Sequence, residues 1–328
     1  MGKSIRNHIR NKSKRKKRKN TSKTPLTGKQ IAARIALCLL CVSIVFTAGL
    51  FFYTAYRLTG TPVPTMELFD GRGTVRFVDV GQGDCTLVTW QGDALLIDAG
   101  TGSSGRKAAE YIKMYAPSVD CMIITHPHED HMGGAEDILK SVKVDKLILS
   151  DIVVEDDFYS AALEAAELRG TEIVTVNEGT KFTAGSISVE ILDTFGLEYE
   201  DLNDASLAVK VMLGETEILI TGDAELAEEA YLVENCRDQL DSDILKVGHH
   251  GSRSSTGEDF LASVSPEICV ISVGRNNTYG HPTDEVIDRI SGIGAELHRT
   301  DREGHVVLRS DGPSGKSLSD AWRKLWGD

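Results

Sequence analysis

"ITHPHEDHMGG", residues Ile124 to Gly134, sets three of the chain's nine histidines and two carboxylates within six positions. It follows the apolar run Cys121-Met122-Ile123-Ile124 directly. A single histidine at the end of a strand usually packs or hydrogen-bonds without any metal, but three beside two acids make a ligand-type density. Imidazole and carboxylate donors suit borderline divalent metals such as zinc, manganese or iron, and a catalytic site gathers its ligands from several segments. The remaining sequence therefore has to supply acids or histidines at other strand ends. It does so three times: "ILITGDAE" carries Asp223, "DILKVGHHGS" carries His249 and His250, and "NTYGHP" carries His281.

Working outward, period-2 and continuous apolar runs predict strands over 74–80, 86–90, 94–97, 119–125, 146–149, 173–176, 187–192, 207–213, 218–221, 244–247, 268–273 and 305–309. Helical spacing predicts helices over 106–115, 158–168, 225–233, 259–264 and 284–290, with a short terminal helix within 317–328. Strands outnumber helices without regular alternation, and no repeat of fixed period occurs. This pattern fits a layered α/β or α+β domain whose strand-end loops carry the chemistry.

The charge is split along the chain. Residues 1–34 hold thirteen Lys or Arg and no acid, whereas from residue 58 onward 22 basic residues face 49 acidic ones, a balance of −27. Between them, residues 35–56 carry no charge, and 22 residues at about 1.5 Å each would span roughly 33 Å of hydrocarbon. The segment is too long for a signal-peptide core and lacks an Ala-x-Ala cleavage site. The expectation is a basic cytoplasmic arm (1–34) that contacts anionic lipid headgroups, a transmembrane helix (35–56), a Pro- and Gly-bearing linker (57–72), an extracytoplasmic catalytic domain (73–312) and a tail (313–328). The protein would then be a single-pass protein of the cytoplasmic membrane. Of the six cysteines, Cys38 and Cys41 form a C-x-x-C inside the apolar segment, which excludes a zinc knuckle or redox motif there. Cys85, Cys121 and Cys269 lie in strand-like runs, where a free thiol acts as a small hydrophobe, although the sequence leaves a disulfide open.

The ordered set "VDVGQGDCTLV", "LLIDAG", "THPHEDH", "ILITGD", "LKVGHHGSRSS" and "VISVGRNNTYGHP" resembles the metallo-β-lactamase-fold hydrolase superfamily. Within it the likeness is strongest to the hydrolase-like domain of DNA-uptake competence proteins of the ComEC type, over about residues 73–310. The resemblance implies a four-layer αββα sandwich with two divalent metal ions, zinc or manganese, at one edge. It places His126 and His128 on the first metal, and Asp130, His131 and one of the His249-His250 pair, with His249 preferred, on the second. Asp223 would bridge the ions, which two-metal hydrolysis holds about 3.5–4 Å apart. Asp98 would orient a ligating histidine from behind; its bland alternative is a turn Asp before Ala-Gly.

One departure stands out, because most members of that superfamily place another histidine before the bridging Asp, and this chain has none between 131 and 249. "NDASLAV" occupies the place, so Asn203, Asp204 or Ser206 would complete the first site through oxygen or water, or that site is weaker. Oxygen donors would move preference from zinc toward manganese or magnesium.

The implied chemistry is metal-assisted hydrolysis, with Asp130 or Asp223 orienting the water and His281 protonating the leaving oxygen. His281 also has a purely structural alternative. Gln82, Asp84 and the hydroxyls of "GSRSS" would line the substrate edge, and Arg253 and Arg275 would contact phosphate. Three functions follow: a membrane-anchored phosphodiesterase or nuclease, an extracytoplasmic esterase on phosphocholine-like wall-polymer groups, or an inactive metal-binding module. The single apolar segment excludes a DNA-uptake pore, the −27 balance opposes tight nonspecific DNA binding, and an Asp at the bridging place disfavours β-lactamase activity.

Overall fold

The computed structural model of the chain describes residues 73–176, 179–192 and 201–310, all within the unit Pro64–Asp328. Parallel strands buried on both faces read as unbroken apolar runs, and the run before the histidine cluster is one of them. It forms β4 (Ser118–Ile123), after β1 (Gly73–Phe77), β2 (Thr86–Trp90) and β3 (Asp93–Ile97), and before β5 (Lys143–Ser150) and β6 (Glu172–Val176). A second sheet holds β7 (Thr180–Ala184), β8 (Ile187–Ile191), β9 (Val209–Leu213), β10 (Thr216–Ile220), β11 (Ile244–Lys246), β12 (Ile268–Ile271) and β13 (Glu296–Arg299). The last strand, β14 (Val306–Ser310), returns to the first sheet and pairs antiparallel with β1.

The sheet orders are β14-β1-β2-β3-β4-β5-β6 and β13-β12-β11-β10-β9-β8-β7. Both sheets are mixed: β3 to β6 run parallel in one, and β10 to β13 run parallel in the other. Alternation along each strand sends its side chains to two different cores. Leu95, Ile97, Cys121 and Ile123 meet Ile187, Val209, Ile218 and Val270 between the sheets.

The opposite face of the first sheet packs Leu96, Met122 and Leu147 under α1 (Gly105–Tyr115), α3 (Ala135–Ser141) and α4 (Asp157–Arg169), with the short α2 (Glu129–Met132) before α3. The opposite face of the second packs Leu219, Leu245 and Cys269 under α5 (Leu226–Asn235), α6 (Arg237–Leu240), α7 (Glu258–Val264) and α8 (Asp284–Ile293). A last short helix, α9 (Thr300–Glu303), follows β13. Two mixed sheets flanked by helices are the expected sandwich, and each fully buried Leu or Ile stabilises it by about 1.5–3 kcal/mol.

The single-pass membrane localisation is corrected here. Among the described residues no helix is long and apolar enough to cross a membrane. The longest of them, Asp157–Arg169, has 13 residues and spans about 20 Å, short of the roughly 30 Å of hydrocarbon. The expected transmembrane helix at 35–56, the basic arm, the linker and the terminal helix lie outside the described residues. The four described cysteines, Cys85, Cys121, Cys236 and Cys269, are buried free thiols, so no disulfide joins them.

The glycines that close the opening stretch are fixed by close approach. A Cβ on Gly134 would lie 2.2 Å from the Ala99 carbonyl oxygen, where the loop after β3 presses on the start of α3. Replacing Gly134 by Ala should lower the unfolding free energy by about 1–3 kcal/mol through overpacking, measured by urea denaturation; unchanged stability would refute this close fit.

Glu229 of α5 is buried and accepts hydrogen bonds from the backbone N–H groups of Thr256 and Gly257. Burial pushes its carboxyl from the ordinary 4.5 up to about 7, against the opposing pull of those N–H groups. A carboxyl raised on folding favours the folded state fully below pH 4.5 and loses that contribution as pH climbs through 7. The loss is roughly 3 kcal/mol by linkage. Glu229→Gln should therefore flatten the stability profile between pH 5 and 7, and identical slopes in the two proteins would contradict the assignment.

Candidate metal centre

The C-terminal ends of β3, β4, β10 and β11 meet at one edge of the sandwich, and each loop brings one part of the site. After β3 the chain turns at Asp98, which holds a left-handed backbone with φ of 61°, a conformation Asp tolerates better than most residues. The turn leaves the carboxylate fully buried, where it accepts hydrogen bonds from the Thr125 backbone N–H at 2.8 Å and the Thr125 hydroxyl at 2.9 Å. It also takes the Nδ1 hydrogen of His131 at 2.9 Å. With Nδ1 occupied, the Nε2 lone pair of His131 faces inward, as in carboxylate–histidine–metal arrangements. Asp98 is thus both the turn residue and the orienting one.

Asp130, His131, Asp223 and His250 then converge, each offering one ligand atom within 4.8 Å of all the others. His131 Nε2 lies 3.1 Å from Asp223 Oδ1, yet both atoms are buried without a hydrogen-bond partner. His250 Nε2 lies 3.1 Å from Asp130 Oδ2 and 3.5 Å from Asp223 Oδ2, while its Nδ1 donates to the Ser272 carbonyl at 2.9 Å. Two imidazole nitrogens and two carboxylates that face a common point, with buried atoms lacking partners, fit a divalent cation.

The adjacent histidines separate sharply. His249 and His250 both adopt positive φ, 42° and 52°, a strained pair flanked by glycines that throws successive side chains apart. His249, the member expected from the sequence, pairs through Nδ1 with Glu225 Oε1 at 2.9 Å, and its Nε2 lies 3.8 Å from Asp223. His250 is the member that enters the cluster.

His126 and His128 face one another, Nε2 to Nδ1 at 3.0 Å, and the His126 ring lies 4.2 Å from that of His131. Among the described residues no further His, Cys, Asp or Glu makes a three-ligand group with them. The segment expected to complete this half does other work. Ser206 Oγ sits 3.2 Å from His126 Nδ1 and accepts from the Asp223 N–H at 3.0 Å, so it aligns both residues. Asp204 accepts from the Glu225 and Glu228 N–H groups and so caps α5, satisfying donors that helices leave open. Asn203 is buried in the same 3-10 turn, and its carbonyl accepts from the Ser206 N–H.

The charges are steep and mutually dependent. Burial would raise Asp223, but His131 and His250 hold it well below the ordinary carboxylate range. Burial would lower His131 and His250, but Asp223 with Asp98 lifts the first well above its usual value. Asp223 with Asp84 lifts His250 to about 10. His126 goes the other way, kept neutral by burial and the neighbouring His131. The carboxylates demand positive charge, which protons on imidazoles or a cation can provide.

A buried cation that the sequence reading missed answers part of that demand. Lys246, the fully buried last residue of β11, forms an ion pair with Asp84, lies 3.8 Å from Asp223 and donates to the Gly222 carbonyl at 2.8 Å. Its signal was available as a lysine interrupting the apolar run "ILKV", residues 244–247. Asp84, expected at the substrate edge, is instead buried beneath the cluster, 3.4 Å from His250 Nδ1. Gln82 accepts from the Gly274 N–H, Arg275 is tied to the Asp301 carbonyl, and Ser252, Ser254 and Ser255 bond within their loop or to Glu225. These residues brace the edge. His281 does reach it, with its ring centroid 5.7 Å from that of His249.

Known proteins resemble this chain in sequence or in fold. ComE operon protein 3 of Bacillus subtilis is 30% identical over 257 residues, which are 72% of this chain and 33% of that protein. Recombination protein 2 of Haemophilus influenzae is 30% identical over 234 residues, 70% of this chain and 28% of that protein. The chain therefore spans about a third of the length of the curated relatives it matches. Among solved structures, the metallo-beta-lactamase fold protein YhfI from Bacillus subtilis superposes with a TM-score of 0.51 over 73% of this chain and all of that one, at 12% identity, which speaks for the fold alone. The sequence pattern of the Metallo-beta-lactamase superfamily matches residues 78–275, well over half the chain, and this protein belongs to that superfamily.

Proposed function

We propose that the chain is a metal-dependent hydrolase of phosphodiester bonds, acting on nucleic acid or a smaller phosphoester, with zinc or manganese held by Asp130, His131, Asp223 and His250. The observation that carries this reading is the convergence of those four ligand atoms around buried nitrogen and oxygen atoms without partners. The name of one relative, Recombination protein 2, supports a nucleic-acid substrate. When bound, divalent cations supply Lewis acidity toward phosphoryl oxygens and make water acidic enough to attack near neutral pH.

The protein's own residues prepare that chemistry. Asp98 and the Ser272 carbonyl each hold a histidine by Nδ1, so that Nε2 faces the cluster. Asp130 has a side chain 30% exposed, whereas Asp84 and Asp223 are at 3%. Asp130 is therefore the carboxylate placed to orient an incoming water. His126 and His128 lie beside the cluster as two further nitrogens for a second ion. His281 is kept neutral near pH 7 by burial and by His249, so it serves the leaving oxygen as a hydrogen-bond partner more readily than as a proton store. Lys246 keeps Asp84 ionised and in place beneath the ligands without occupying them.

The full chain, purified and loaded with manganese or zinc, should hydrolyse bis-p-nitrophenyl phosphate and leave nitrocefin intact. Asp223→Ala should lower bound metal and reduce the phosphodiesterase rate by at least a hundredfold. Activity that survives both chelation and Asp223→Ala would defeat the proposal.

Lys246→Met should leave Asp84 as an uncompensated buried charge and destabilise the protein by about 3–5 kcal/mol. Adding Asp84→Asn should recover a substantial part of that loss. Equal stability of the single and double variants in thermal unfolding would show that the two residues are not coupled.

A further inference from the structure

One aromatic side chain at the rim has no part in the metal cluster. Tyr279 is 70% exposed, and its ring stacks on that of His281 with centroids 6.0 Å apart and planes at 14°. His281 in turn meets His249, and His249 meets His250, at centroid distances of 5.7 and 6.1 Å. A continuous series of rings thus runs from the candidate metal centre to solvent, and Tyr279 ends it with one face uncovered.

The loop that presents this ring is held rigidly. The Asn277 side chain makes four hydrogen bonds: Oδ1 accepts from the N–H groups of Tyr279 and His281 at 3.1 Å each, and Nδ2 donates to the carbonyls of Gly274 and His281 at 3.0 and 2.7 Å. An isolated exposed apolar side chain is ordinary. A ring on a braced loop, backed by a second ring and set beside a candidate phosphoester site, is placed to receive a planar group.

The charge around it selects among planar and cationic groups. Arg253 is exposed, acts electrostatically on His281 and forms no ion pair among the described residues. A free guanidinium there attracts phosphate oxygens and repels a quaternary ammonium, which disfavours choline at this ring. The strongly acidic balance after residue 58 also weakens binding through backbone charge, so a nucleic-acid substrate needs a contact that charge does not govern. Base–aromatic stacking is such a contact.

We propose that Tyr279 is a stacking platform for an unpaired nucleobase next to the phosphodiester at the metal centre, with Arg253 taking a phosphate oxygen. This specifies the substrate as single-stranded nucleic acid or a nucleoside phosphodiester, and it rests on the phosphodiesterase reading above.

The test compares the full manganese-loaded chain on a short single-stranded oligothymidylate and on the same oligomer with abasic residues. The wild type should favour the base-bearing strand in kcat/KM by about tenfold, the order a single stacked base provides. Tyr279→Ala should abolish that preference by slowing only the base-bearing strand, while Tyr279→Phe retains it, because the ring and not the hydroxyl carries the contact. Equal rates on the two strands, or an equal loss on both in Tyr279→Ala, overturns the proposal.

Binding decides the matter separately from turnover. By calorimetry, thymidine 5′-monophosphate should bind about tenfold more tightly than 2-deoxyribose 5-phosphate, with the difference lost in Tyr279→Ala. If neither oligomer is cleaved but this preference holds, the hydrolase reading fails and the platform stands. If both phosphates bind alike, or phosphocholine binding depends on Tyr279 instead, the platform fails.

Discussion

The fully buried Asp98 carboxylate is the contact on which the edge of this sandwich depends. It takes hydrogen bonds from the loop after β4 through Thr125 and from α2 through His131, and so ties two pieces of chain to the end of β3. Removing it would leave donors without acceptors and a histidine without a fixed ring plane. Its strained backbone is sustained because these contacts over-determine it. Gly222 makes the matching adjustment from the other sheet: a Cβ there would fall 2.7 Å from the Thr125 hydroxyl, so the two sheet edges can approach only across a bare backbone.

Around that contact the structure solves an electrostatic problem in layers. Asp84 and Asp98 lie deepest, one matched by Lys246 and the other by His131. Asp223, as buried as Asp84, and Asp130, which alone lies toward the opening, are matched by His131 and His250. The Lys246–Asp84 pair is permanent, because a buried lysine with two carboxylate neighbours keeps its proton. The outer matches are exchangeable, because an imidazole can give up its proton to a cation that takes its place. A site divided this way can change its contents without losing the charges that hold its walls.

Much of this was legible in the sequence, for identifiable reasons. Strand β12 and the C-terminal halves of β4 and β5 are buried on both faces, so their apolar runs are continuous and stand out. Strands β7 and β13 were not foreseen, since "TKFTA" and "ELHR" lie at sheet edges and bury little. The density of histidines and acids at strand ends stood out in the sequence, while the choice of which would hold metal came from the family resemblance. The division of labour between His249 and His250 did not, because it depends on two consecutive left-handed residues that no spacing rule announces. The same holds for Asp204 and Ser206: an acid and a hydroxyl near a site look like ligands in one dimension, while in three dimensions one caps α5 and the other aligns His126. Lys246 escaped notice because lysines are ordinarily exposed, and only the fold shows that this one ends between the sheets.

The four buried thiols have a consequence of a different kind. Burial pushes Cys121 and Cys269 up to about 12 and raises Cys85 as well, so these sulfurs are held as unreactive thiols. No disulfide joins the four, and none of them belongs to the candidate metal cluster. The described fold therefore draws no stability from a disulfide among these four sulfurs.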